Sequence, residues 1–102
     1  MDARVKNNKR MRGYILKAMK ICYPSPELIE SLRSSMLSTQ LEESLDIMPH
    51  VEYLRDRGYL EVKKTETDYG TRLTYVKLTS RGVDVLEGTI SDPGVILDGS
   101  GS

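Results

Sequence analysis

The apolar residues recur every three or four positions as far as residue 57, alternate between 60 and 79, and return to helical spacing afterwards. Met11, Ile15, Ala18, Met19 and Cys22 mark one face of a helix over residues 9–22, which Pro24 and Pro26 close. Ser25 then fits an N-cap with Pro26 in the first helical turn. Leu28, Ile29, Leu32 and Met36 supply the inward face of a second helix over 26–37, fading among Ser34, Ser35, Ser38 and Thr39. A turn follows, and Leu45, Met48, Val51 and Leu54 form the stripe of a third helix. Pro49 is tolerated if that helix begins near 46, and Gly58 suits its C-terminal cap.

Residues 60–79 change character. "LEVKKTET" and "RLTYVKLT" are rich in β-branched and aromatic residues, and "DYGT" between them suits a tight reversal, so the pattern predicts a β-hairpin. Leu60, Val62, Val76 and Leu78 share its inward face, with Leu73 and Tyr75 on the other. Thr79 or Ser80 caps a short helix over 80–87, in which Val83 and Leu86 pack back and which Gly88 ends. The expected organisation is one domain over 1–88 and a tail over 89–102 containing a small apolar knot at 95–97. Ile90, Val95, Ile96 and Leu97 find no evident place in so small a core, which predicts a homodimer through the first helix, the last helix and the tail.

Composition narrows the classes. The 102 residues carry zero net charge, but residues 1–23 hold Arg4, Lys6, Lys9, Arg10, Arg12, Lys17 and Lys20 against Asp2, whereas residues 24–48 hold Arg33 against Glu27, Glu30, Glu42, Glu43 and Asp46. A basic segment beside an acidic one gives a field with a direction, suited to a polyanion or a partner subunit; two ordinary solvated faces have the same composition. One cysteine, Cys22, and one histidine, His50, make neither a disulfide framework nor a zinc site, and no cofactor is expected. No apolar run spans a bilayer and no cleavable leader opens the chain, which points to the cytoplasm. No phosphate loop, carboxylate–histidine constellation or nucleophile with a base stands out, so an enzyme is not expected.

The order helix, helix, turn, helix, hairpin, short helix resembles a winged helix-turn-helix domain: α+β and mainly α, with a three-helix core, a two-stranded wing and a short C-terminal helix. "VEYLRDRGYLEV" followed by "YVKLTSRGVDVLEG" carries the resemblance through Leu54, Gly58 and Tyr59, then Leu78, Thr79 and Gly82. These positions resemble the step from recognition helix to wing, and from wing to following helix, in regulators similar to the ArsR, MarR and PadR groups. With "GVDVLEGTISDPGVIL", nearly the whole chain is similar to a family of small winged-helix proteins of Mu-like prophages.

The resemblance implies a DNA-binding phage or prophage transcriptional regulator that reads double-stranded DNA with the third helix and the wing. The residues suited to phosphate are Lys63, Lys64 and Arg72 on the wing, with Tyr69 and Gly70 at its tip, and Arg10 and Arg12 in a basic N-terminal arm. His50 is the candidate for a base contact. Each also has a structural explanation: lysines guard strand edges, basic termini are solvated, and a lone helical histidine commonly packs. The third helix itself offers Ser44, Asp46, Pro49, His50 and Glu52, a poor surface for phosphate. The alternative is a winged-helix protein–protein interaction module in a phage assembly or replication complex, docking through its acidic face.

Overall fold

The computed structural model describes residues 3–37 and 46–97. Its elements run α1 (Ala3–Cys22), β1 (Glu27–Leu28), α2 (Ile29–Leu37), α3 (Met48–Asp56), β2 (Leu60–Glu66), β3 (Arg72–Leu78) and α4 (Ser80–Leu86). The fold is α+β and mostly helical, with an antiparallel sheet in the order β1-β3-β2. The expected turn around Ser38, Thr39, Glu42, Glu43 and Ser44 lies outside the described residues. No described helix is long and apolar enough to cross a membrane.

Two element boundaries differ from the sequence reading. The first helix begins at Ala3 rather than near residue 9, because its first two turns are polar and exposed and carry no apolar period to mark them. The second begins at Ile29 rather than 26. Glu27 and Leu28 instead pair with Val76 and Tyr75 on the free edge of β3, so the expected two-stranded wing belongs to a three-stranded sheet. Pairing with β3 satisfies backbone groups that an isolated helix start leaves bare. Ser25 is part of the turn, its amide donating to the Cys22 carbonyl at 2.8 Å.

The core is one cluster. Ile15, Leu16 and Met19 of α1, Leu32 and Met36 of α2, Val51 and Leu54 of α3, and Leu60, Val76 and Leu78 of the hairpin are all buried together, with Ile47 and Tyr59 from the flanking turns. Each fully buried aliphatic side chain contributes roughly 1.5–3 kcal/mol relative to exposure. Pro49 sits in the first turn of α3, as expected.

The junctions around the hairpin are closely specified. Gly58 follows α3 at φ 83°, its amide donating to the Arg55 carbonyl, while the Tyr59 amide donates to the Leu54 carbonyl, the paired bonds of a Schellman cap. At the other end of the hairpin, the Thr79 hydroxyl donates to the Gly58 carbonyl at 2.6 Å and accepts from the Gly82 amide at 3.0 Å, thereby capping α4. Gly82 must lack a side chain: a Cβ there would come within 2.5 Å of the Tyr59 carbonyl oxygen. The Leu-Thr-x-x-Gly spacing is thus a packing requirement.

After α4 the chain packs back on the rest of the fold through residue 97. Ile90, Val95 and Leu97 pack against the core, the Ile96 amide donates to the Lys9 carbonyl at 3.1 Å, and the Ile96 carbonyl covers the bare backbone of Gly13. The apolar residues that the sequence left for a second subunit are largely covered by their own chain.

Candidate nucleic-acid interface

β2 and β3 pair in perfect antiparallel register, Leu60 opposite Leu78 and Glu66 opposite Arg72. Side chains alternate between faces along a strand, so the register decides which charges act together. Leu60, Val62, Val76 and Leu78 lie on the core face. The same face continues towards the tip as Lys64 opposite Thr74 and Glu66 opposite Arg72. Glu61 opposite Lys77, Lys63 opposite Tyr75, and Thr65 opposite Leu73 form the outer face. Lys63 and Lys64, neighbours in sequence, are therefore on opposite faces.

Near the tip, Lys64, Glu66, Arg72 and Thr74 of the core-side face, together with Thr65 between the first two in the strand, line an open concavity of about 450 Å³. Arg72 lies diagonally across from Lys64, a separation of roughly 7–8 Å between backbones. Two cations and the Thr74 hydroxyl thus border one space that a phosphate can enter, and Glu66 cancels part of their charge. Lys63 belongs with Lys77 to a second concavity of about 370 Å³, lined also by Pro26, Glu61, Thr65, Tyr75 and Val76. The reversal is held by Thr67, whose amide donates to the Thr71 carbonyl and whose carbonyl accepts from the Gly70 amide. Gly70 takes φ 81°, and Tyr69 beside it is 95% exposed at the tip.

The remaining candidates are dispersed. His50 is half-buried in the first turn of α3, and Arg10 is half-buried on α1. Arg12 is committed internally: its guanidinium lies 3.8 Å from the Tyr53 ring centroid and donates to the Gly94 carbonyl at 3.0 Å. The exposed charges of α3 oppose one another, Glu52 and Asp56 against Arg55, with Arg55 bound to Asp56 at 3.3 Å. No cluster of three His, Cys, Asp or Glu side chains among the described residues suits a metal ion.

A second polar cluster escaped sequence reading. The carboxylate of Asp92, 2% exposed, accepts the Tyr59 hydroxyl at 2.6 Å and the Gly94 amide at 2.7 Å, with the Arg57 Nε 3.8 Å away. Burial alone raises the Asp92 carboxyl, but the Tyr59 and Gly94 hydrogen bonds and the charges of Arg57 and Arg12 outweigh it and hold the group below its ordinary range. Burial, and then the bond to Asp92, push the Tyr59 phenol up. A lone aspartate in "SDPG" resembles any turn residue; its partners come from α1 and from the turn between α3 and β2 as well as from its own segment.

Compared with known protein families, curated proteins and solved structures, the chain matches none.

Proposed function

We propose that this protein is a winged helix-turn-helix DNA-binding protein, a phage or prophage transcriptional regulator of the Mu-like prophage type, that engages the duplex backbone through the core-side face of its hairpin. The observation that carries this reading is the convergence of Lys64, Arg72 and Thr74 on one concavity beside an exposed aromatic tip. Phosphate attraction requires accessible cations and hydroxyl or amide donors, and this face has the first two. Helix α3 contributes shape more than charge.

Titration of the protein against mixed-sequence duplex DNA at increasing salt tests the proposal. Phosphate binding releases counterions, so the logarithm of affinity falls linearly with the logarithm of salt concentration, by about 0.9 for each contact. An absence of salt-sensitive binding sinks the DNA reading. The second reading, a protein-docking module, is favoured by the exposed Glu52 and Asp56 on α3, which would repel phosphate from that helix.

A further inference from the structure

The outer face of the sheet centres on Tyr75. Register sets Leu28 of β1 on one side of it and Lys63 of β2 on the other, and alternation along β3 sets Leu73 and Lys77 before and after it on the same face. Tyr75, Leu28 and Leu73 are half-buried, whereas Lys63 and Lys77 are exposed. The second face of an antiparallel sheet is ordinarily polar, so an aromatic ring flanked by two leucines asks for an explanation there. The ring borders the open concavity of about 370 Å³, which both lysines and Thr65 also line. A hollow of that size suits one small flat group rather than the broad surface of a folded partner. Among the described residues of this face Glu61 is the one carboxylate, and it stands opposite Lys77. Neither lysine is held in an ion pair among the described residues, so Lys63, directly opposite Tyr75, keeps its charge beside the ring.

We propose that this face binds single-stranded nucleic acid, with one unstacked base on the Tyr75 ring and its flanking phosphates at Lys63 and Lys77. Stacking on an aromatic ring accepts any base, because every base has a π-face, and lysines beside the ring attract the backbone that carries it. Lys63 and Lys77 against Glu61 leave an excess of one positive charge, so stacking supplies most of the affinity. Glu61 opposes a peptide carboxylate as it opposes a phosphate, but only a base gains from the ring. A duplex is excluded for a different reason: its bases present edges in the grooves and keep their faces stacked inside. The inference does not rest on duplex binding through Lys64, Arg72 and Thr74, which lie on the opposite face of the hairpin.

The test is a titration of the whole chain with a fluorescein-labelled dodecathymidylate, followed by fluorescence anisotropy and, with the unlabelled strand, by NMR of the tyrosine rings. Saturable binding that moves the Tyr75 ring protons upfield, as a stacked base does, supports the proposal. Tyr75→Leu is expected to weaken binding about tenfold, and Tyr75→Phe, which keeps a stacking ring, to bind like the parent. Lys63→Ala with Lys77→Ala is expected to lower the salt slope by roughly 1.4, about 0.7 for each phosphate contact on a single strand. Lys64→Ala with Arg72→Ala is expected to leave single-strand binding unchanged. Thermal unfolding confirms that each variant is folded, and should Tyr75→Leu fail that check, the ring shifts in the parent and the lysine pair decide. The proposal is overturned if the parent does not bind the single strand, if the Tyr75 ring signals stay in place, if folded Tyr75→Leu binds as well as the parent, or if the Lys64 and Arg72 pair weakens binding as much as the Lys63 and Lys77 pair.

Discussion

Tyr59 and Asp92, thirty-three positions apart in sequence, meet in a buried hydrogen bond of 2.6 Å that ties the segment after the last helix to the turn between α3 and the hairpin. Neither group is well placed alone: without its partner, the carboxylate keeps only the Gly94 amide and a longer contact to Arg57. A hydrogen bond to a charged group contributes about 1.5–3 kcal/mol, and a buried group left without its partner incurs a similar penalty.

Asp92→Ala is therefore expected to destabilise the fold by about 2–3 kcal/mol. For a chain of this size that lowers Tm by roughly 10 °C or more, measurable by thermal unfolding followed by circular dichroism. Tyr59→Phe keeps the ring in the core and removes only the hydroxyl, so a smaller loss is expected. Equal losses would mean that Asp92 acts through Tyr59 alone.

The pair also predicts a pH profile. Asp92 is depressed in the folded state, so its contribution is present above the ordinary carboxylate range near pH 4 and is lost as pH falls through the lower folded value. Tyr59 is raised, so its contribution is present below about pH 10 and is lost as pH rises through the higher folded value. Denaturant unfolding across pH checks both limbs. In Asp92→Asn the acid loss is expected to shrink, and an undiminished acid limb would assign it to other carboxylates.

Gly82→Ala places a methyl group 2.5 Å from the Tyr59 carbonyl oxygen and 2.6 Å from the Leu78 side chain. Backbone on one side and core on the other leave little room to yield, so a loss of about 2–3 kcal/mol is expected. Gly88→Ala provides the contrast. Its Cβ meets nothing within 4 Å, and only the positive φ of 82° is penalised, by about 1–2 kcal/mol. A smaller loss at Gly82 than at Gly88 would refute the crowding argument.

On the hairpin, Lys64→Ala with Arg72→Ala is expected to reduce the salt slope of duplex binding by roughly two units, one for each lost phosphate contact. Lys63→Ala with Lys77→Ala removes the same charge from the opposite face and is expected to change the slope less. Equal effects of the two pairs would show that net charge, rather than the face, governs binding.

Which features the sequence revealed depended on the range of the interactions that set them. Helix α1's apolar face, Pro49 in the first turn of α3, the Gly58 cap, the hairpin register and the Thr79 cap each follow from periodicity or local chemistry within a few residues. The strand Glu27–Leu28 has too few residues to show a period and exists because β3 offers a free edge. Arg12 read as one more charge in a basic arm; its stacking on Tyr53 depends on a partner forty-one positions away. Lys63 and Lys64 read as one patch because charge counting ignores the alternation of a strand, although that alternation was already in the pattern.

The contacts of residues 94 and 96 with Arg12 and Lys9 have a topological consequence. They bring one end of the described chain against the other, since Ala3 lies six helical residues, about 9 Å of axial rise, from Lys9. A short flexible connector can bridge residue 97 to residue 3 while the exposed reversal beside Tyr69 is cut to make new ends. Such a permuted chain would carry the hairpin as two separate terminal strands. Its folding would then report whether β2 and β3 find their register through the turn that joins them or through the hydrophobic face they share.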